Sequence, residues 1–299
     1  MAPETRTPPT GDTPQSALSR RDFVTMAIGA GLAAAADHPA WAAQGAVQVS
    51  TVDVTTPDGT CDAAFIHPGS GKHPAVLVWP DAFGLRPSMI DIGRRIAAEG
   101  YTVLVPNPYY RMTKAPGIDM AGFSFQNQAD MAKLRPLMGS ITAPGAGERD
   151  AVAFIAYLDA QPQVDTSRKV GTQGYCMGGP LVFKTAAAVP GRVGAGASFH
   201  GGGLVTDQPT SPHLLIPKMQ ARLYIGIAAN DDERQPEAKD TLKAACADAK
   251  VPAEIEVYGS QHGWCVPDMP AGPNGPIYDR ADAEKAWAKL VALYRTALA

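Results

Sequence analysis

A cysteine within a glycine-rich hexapeptide carries the clearest chemical signal in this sequence. Residues 174–179 read Gly-Tyr-Cys-Met-Gly-Gly, which puts Cys176 in a G-x-C-x-G pattern. Residues 169–173 predict a buried strand before it, and residues 180–188 predict a helix after it. A cysteine at such a turn lies on a strained backbone, and the helix N-terminus favours its thiolate. We therefore predict that Cys176 is a nucleophile; the motif alone leaves open a small buried cysteine in a turn.

A thiol nucleophile needs a base within reach and a third group that orients the base. The strand predicted at 222–228 runs into Asp231 and Asp232, and the loop after the last predicted strand contains His262. The chain order is thus nucleophile, acid, histidine, as in the G-x-S-x-G hydrolases. Either aspartate has the alternative role of a helix N-cap. His200 is a rival base, for which we favour a structural hydrogen-bonding role.

Attack of a thiolate on a carbonyl creates an oxyanion, which requires preorganised N–H donors. Met177, directly after the nucleophile, supplies one backbone N–H, and Ala82, in the loop after the strand at 75–79, supplies the second. Asp81 beside it adds a carboxylate, with a turn or capping role as its alternative. A nearby anion opposes thiolate formation until substrate displaces it, so Asp81 is predicted to tune the thiol.

The order of predicted elements positions these residues together. After an antiparallel hairpin at 47–54 and 61–66, strands and helices alternate to the end of the chain. This pattern predicts an α/β fold, a mainly parallel doubly wound sheet with helices on both faces, in a single domain over residues 43–299. Ligands bind at the carboxyl ends of such strands. The residues predicted to meet at that edge are Asp81, Cys176, His200, Asp232 and His262.

Composition and charge exclude other classes of function. The 299 residues are 45% hydrophobic and 18% charged, with a formal charge of −3. No basic excess is available to neutralise a phosphate backbone, which argues against nucleic-acid binding. The four cysteines, at 61, 176, 246 and 265, have no metal-ligand spacing. A disulfide between two of the three other than Cys176 is left open, because sequence does not reveal connectivity.

The N-terminus has the features of an export signal. Arg20 and Arg21 precede an uncharged stretch at 26–36, and Ala-Trp-Ala follows at 40–42. These features in this order predict a twin-arginine signal over residues 1–42, read by the Tat export machinery and cleaved near Ala43. The apolar stretch is too short for a membrane span. We therefore expect a periplasmic or secreted bacterial protein; an amphipathic or disordered tail is the alternative.

Taken together, these motifs resemble the dienelactone hydrolase family of the α/β-hydrolase fold. The resemblance rests on residues 174–179, the Pro-Asp-Ala-Phe-Gly run at 80–84, residues 99–106 with Tyr110 and Arg111 after them, the acidic run 232–236, and His262. It implies a Cys176–His262–Asp232 triad that hydrolyses an ester or lactone through a thioester, with no metal or organic cofactor. The family's D-x-x-x-P spacing selects Asp232 over Asp231. The other side chains expected to contact or tune the substrate are Asp81, Phe83, Tyr110, Arg111, His200 and Trp264.

Departures from the family pattern bear on the substrate. Asp81 stands where the family carries Glu, and Gly-Trp-Cys-Val at 263–266 stands where the dienelactone-specific members place an arginine. A second expected arginine has only Arg135 as a counterpart in its region. Loss of these donors favours a neutral ester or lactone over a carboxylated one. Two other functions stay open: a ligand-binding protein on a hydrolase fold, and a thiol redox protein that pairs Cys176 with Cys265. For any of these functions we expect a monomer or a small homo-oligomer.

Overall fold

A computed structural model describes residues 46–272 and 275–299 and shows one eight-stranded sheet in this part of the chain. The predicted export signal at 1–42 lies outside the described residues. The spatial order is β1-β2-β4-β3-β5-β6-β7-β8. The strands are β1 (Val47–Thr56), β2 (Gly59–Pro68), β3 (Ala75–Trp79), β4 (Thr102–Pro106), β5 (Val170–Tyr175), β6 (Val193–Phe199), β7 (Arg222–Ile227) and β8 (Ala253–Val257).

Strand direction confirms the predicted mainly parallel sheet with an N-terminal hairpin. β1 pairs with β2 in antiparallel register, with Val54 opposite Cys61, and β2 is antiparallel to β4. All the remaining neighbours, from β4 through β3 to β8, are parallel. The carboxyl ends of β3, β5, β6, β7 and β8 therefore open onto one edge of the sheet.

Helices cover both faces of the sheet, because alternate residues of the buried strands point to opposite sides. On β3, Leu77 belongs to one apolar cluster and its neighbours Val76 and Val78 to the other. Helices α1 and α7 contribute to the cluster of Val76, and α2, α3, α4 and α6 to that of Leu77. The helices are α1 (Pro87–Ala98), α2 (Gln128–Thr142), α3 (Ala146–Asp159), α4 (Gly178–Ala188), α5 (Ala229–Arg234), α6 (Ala238–Asp248) and α7 (Arg280–Ala297).

Two helices differ from the sequence prediction. The sequence has a helix-like pattern over residues 120–135, which predicts an earlier start than the structure shows. Helix α2 begins after Asn127, whose side-chain oxygen accepts the N–H groups of Ala129 and Asp130. Helix α5 was not predicted, because it has only six residues and no side-chain cap. Within residues 46–272 and 275–299, no helix is long and apolar enough to span a bilayer.

Candidate active site

Cys176 lies on the turn between β5 and α4, as predicted. Its φ of 51° is in the left-handed region, which few residues other than glycine adopt. Glycine is required on both sides of it by close backbone contacts. A Cβ on Gly174 would lie 2.2 Å from the Gly178 carbonyl oxygen, and one on Gly178 would lie 2.5 Å from the Trp79 carbonyl oxygen. The thiol therefore projects from a turn in which strand and helix pack backbone to backbone.

His262 connects Cys176 to an aspartate. Its Nδ1 lies 2.6 Å from Oδ2 of Asp231, and the Cys176 thiol lies beside the same ring. Because Nδ1 faces the carboxylate, the thiol must face Nε2. Burial lowers the pKa of His262, but the hydrogen bond to Asp231 and the interaction with Cys176 outweigh it and raise that pKa to about 10. The environment thus favours a protonated imidazole beside the sulfur.

The aspartate that contacts His262 is Asp231, and not Asp232 as the sequence predicts. Both oxygens of the Asp232 carboxylate accept from Lys239 of α6, at 2.8 and 2.9 Å. Successive residues on a helix point about 100° apart, so one face of α5 presents only one of the two acids to His262. Asn230 adds a further contact, because its Oδ1 accepts the backbone N–H of His262 at 2.8 Å.

The predicted oxyanion donors are free. Among the described residues, the backbone N–H groups of Ala82 and Met177 have no hydrogen-bond partner. One buried side chain ties their loops together: the Tyr109 hydroxyl donates to the Ala82 carbonyl at 2.6 Å and lies 3.5 Å from Sδ of Met177. Sequence reasoning missed Tyr109; its position just after β4 was the one available signal.

Asp81 is buried and fully engaged by Arg86. Nη1 and Nη2 of Arg86 donate to its two carboxylate oxygens at 2.7 and 2.9 Å, and the Phe83 N–H donates to Oδ1 at 2.9 Å. The same guanidinium makes two 2.8 Å hydrogen bonds to Asp268. Arg86 therefore links the loop of Ala82 to the segment that follows His262. No motif in the sequence marked either Arg86 or Asp268.

The structure does not bring Tyr110 and Arg111, predicted as substrate contacts, to the triad residues. The Arg111 guanidinium donates to both carboxylate oxygens of Asp150 on α3 and to Asp58 in the β1–β2 turn. The Tyr110 hydroxyl hydrogen-bonds Asp150 and Thr56. These contacts join the hairpin to α3, and no contact with Cys176 or His262 occurs within the described residues.

The other three predicted contact residues are buried near the site. The Phe83 ring packs edge-on against Phe123, with ring centroids 5.1 Å apart. His200 packs against His262 and Trp264, at centroid distances of 4.8 and 5.1 Å. Only Phe125, which packs on Phe83 and Phe123, presents half of its surface to solvent.

All four cysteines are free thiols in the described chain. Cys265 lines a cavity of about 450 Å³ between α1 and α7, which neither Cys176 nor His262 lines. Burial raises the pKa of Cys265 well above its usual range, so this thiol is poorly suited to nucleophilic chemistry. Within residues 46–272 and 275–299, no group of three or more His, Cys, Asp or Glu side chains has the arrangement of a metal site.

Comparison with known proteins finds one consistent relationship. A sequence model described as the dienelactone hydrolase family matches residues 61–298. A Synechocystis protein named as a carboxymethylenebutenolidase is 29% identical over 259 residues, which cover 84% of this chain and 99% of the relative.

Solved structures share the fold. A dienelactone hydrolase-like promiscuous phosphotriesterase from metagenomic libraries superimposes with a TM-score of 0.68 at 24% identity, over 85% of this chain and 100% of its own. A dienelactone hydrolase of Anabaena variabilis gives a TM-score of 0.55 at 14% identity, over 85% of this chain and 99% of its own.

Proposed function

The chain belongs to the dienelactone hydrolase family, and from that premise we propose that it hydrolyses neutral carboxylic esters or lactones through a thioester on Cys176. The observation that carries this proposal is the 2.6 Å hydrogen bond between Asp231 and His262, with Cys176 beside the same imidazole at the carboxyl edge of the sheet. A carboxylate, an imidazole and a thiol in this order have the roles of orienting acid, base and nucleophile.

In the proposed first half-reaction, the Cys176 thiolate adds to the substrate carbonyl carbon. The carbonyl oxygen becomes an oxyanion, which the free N–H groups of Met177 and Ala82 stabilise. The intermediate collapses with cleavage of the C–O bond, and protonated His262 donates its proton to the departing oxygen. An ester releases its alcohol at this step, whereas a lactone keeps the hydroxyl group on the acyl chain.

In the second half-reaction, neutral His262 takes a proton from water, which attacks the thioester carbonyl. Collapse of the second tetrahedral intermediate releases the carboxylic acid and restores the Cys176 thiolate beside protonated His262. Asp231 keeps Nδ1 of the ring protonated throughout, so Nε2 exchanges the proton in both halves.

The proposed preference for a neutral substrate rests on where the arginines are. Arg86 donates to Asp81 and Asp268, and Arg111 donates to Asp58 and Asp150, so neither guanidinium is free to bind a substrate carboxylate. The cluster of Asp81, Arg86 and Asp268 has two carboxylates for one guanidinium, which leaves a net negative charge beside the proposed oxyanion loop. Arg135 is exposed on α2.

Trapping the acyl-enzyme tests the mechanism. Intact-mass and peptide mass spectrometry after a millisecond pulse of an activated ester should show one acyl group on Cys176. Cys176→Ala should lose at least about 10³-fold in kcat, whereas the matched variant Cys265→Ala should keep wild-type turnover. Full activity in Cys176→Ala would eliminate the proposed nucleophile, and a Cys176–Cys265 disulfide that persists through turnover conditions would favour the redox alternative.

A second measurement tests the substrate class. A neutral lactone and its carboxylate-bearing analogue should differ in kcat/KM by about 10-fold or more in favour of the neutral compound. Preference for the carboxylated lactone would contradict the proposed class, and absence of turnover across the panel would favour a ligand-binding protein.

A further inference from the structure

Two residues other than glycine adopt left-handed backbone conformations at the same point of the sheet. Cys176 has a φ of 51° and His200 a φ of 39°. Each directly follows its strand, and the last residues of these strands, Tyr175 and Phe199, are paired. Such conformations persist where surrounding contacts hold them, and they concentrate at functional sites. The nucleophile and the histidine beside it are therefore held by shared contacts.

A hydrogen bond joins the two residues directly. The backbone N–H of Cys176 is shared between Nδ1 of His200 and the Phe199 carbonyl, both at 3.1 Å, and the His200 N–H donates to the Gly226 carbonyl at 2.8 Å. Because Nδ1 accepts, the proton of the neutral ring must be on Nε2. That nitrogen is buried and has no partner among the described residues. An unpaired buried donor is unfavourable, so this tautomer is kept for the hydrogen bond that its other nitrogen makes.

The His200 ring also touches the proposed base. Its centroid lies 4.8 Å from that of His262, with the two planes 61° apart, and 5.1 Å from that of Trp264. The titratable groups against it are Cys176 and Tyr175 on the elbow side and His262 on the other. Burial, together with the neighbouring His262, lowers the pKa of His200 well below its usual range, which keeps Nδ1 available as an acceptor.

We propose that His200 is a positioning residue of this site: its unprotonated Nδ1 holds the Cys176 backbone in place, and its ring fixes the separation of Cys176 from His262. The proposal rests on the hydrolase function proposed above. His200 itself takes no proton from the nucleophile, since Nδ1 faces a backbone amide and not the sulfur.

The tautomer can be measured in the wild-type protein, with no dependence on catalysis or on the folding of a variant. In histidine labelled with ¹⁵N, the two ring nitrogens of His200 should give one acceptor-type Nδ1 signal and one protonated Nε2 signal from about pH 5 to 9. A protonated Nδ1 over that range would overturn the proposal. The result stands whether or not an ester substrate is ever found.

Two variants then separate the effect of the Nδ1 acceptor of His200 from the effect of its positive φ. Glycine tolerates a positive φ but removes both ring and acceptor, so His200→Gly should lose about 10-fold or more in kcat, with KM changed by less than about 3-fold, and should slow alkylation of Cys176 by iodoacetamide. In His200→Asn, Oδ1 takes the place of Nδ1 on a residue that also tolerates positive φ, and most of the kcat should return.

The matched control is His67→Asn, which changes a histidine of β2 and should leave kcat and alkylation unchanged. Wild-type kcat and alkylation in folded His200→Gly would overturn the proposal. The proposal would also be overturned if His200→Asn were no more active than His200→Gly while thermal unfolding showed both variants to be folded. The wild-type protein could also show no ester turnover while the variants still differ in the rate of Cys176 alkylation. That result would count against the hydrolase function and not against the role of His200.

Discussion

The loops around Cys176 and the ionic cluster around Arg111 use similar residues in opposite ways. At Arg111, three carboxylate oxygens and two tyrosine or threonine hydroxyls complete one another's hydrogen bonds. At Cys176, the described chain leaves the N–H groups of Ala82 and Met177 and Nε2 of His200 without partners. The backbone is also left-handed at Cys176 and at His200.

The difference distinguishes a candidate active site from a cluster of ion pairs that only stabilises the fold. The Arg111 cluster resembles a binding site in sequence, because it is a tyrosine-arginine pair after a strand, but its charges are already neutralised in the fold. The loops at Cys176 retain free donors and strained residues, which natural proteins keep mainly where function requires them.

The sharpest test compares two adjacent aspartates. Asp231→Asn should lower kcat by about 10²-fold or more, because the amide no longer orients or stabilises the protonated His262 ring. Asp232→Asn loses only a partly exposed ion pair with Lys239 and should keep kcat within about 2-fold. Steady-state kinetics on one neutral ester measure both. Equal losses in the two variants would break the assignment of Asp231.

A second test compares the two arginines. Arg86→Met leaves the buried Asp81 carboxylate without its counter-ion and should lower the free energy of unfolding by about 3 kcal/mol. It should also lower kcat about 10-fold, since Arg86 connects the Ala82 loop to the segment after His262.

Arg111→Met is the matched variant, because it strands the equally buried Asp150. Its unfolding free energy should fall by a similar amount, about 3 kcal/mol, while kcat stays within about 2-fold of wild type. Urea unfolding and kinetics below the unfolding temperature separate stability from activity. A large loss of kcat in folded Arg111→Met would show that the cluster serves the site after all.

The smallest effect is a pH dependence of stability. The pKa of His262 in the folded chain is raised to about 10, above an unfolded value of about 6.5. Its contribution to stability is therefore complete below about pH 6.5 and is lost as the pH rises through 10. Asp231→Asn removes the strongest interaction that raises this pKa, so wild type should exceed it in Tm by about 4 °C at pH 6.5 and by much less at pH 10.5. A gap that does not change with pH, as expected for Asp232→Asn, would contradict the ion pair.

The sequence predicted those parts of the fold and the site that depend on interactions between residues close together in the chain. Buried runs such as 75–79 and the glycines around Cys176 are local signals, and the strands, the hairpin and the elbow follow from them. Helix α5 has no such signal, because it is short and uncapped. The orientation of Asp231 and Asp232 depends on that helix. The residue spacing of the family selected Asp232, whereas Asp231 is the one that contacts His262.

Three features follow from local sequence, because neighbouring residues specify each of them. They are the order of strands and helices, the cysteine at a strand-to-helix turn, and the histidine that follows the last strand. Only the tertiary structure decided which carboxylate reaches His262, which arginines are neutralised, and where His200 directs its nitrogen. Those outcomes depend on partners far apart in the chain, such as Arg86 with Asp268 and Cys176 with His200. A charged or polar side chain takes whichever partner the packed chain brings within hydrogen-bonding distance, and residue type alone does not specify that partner.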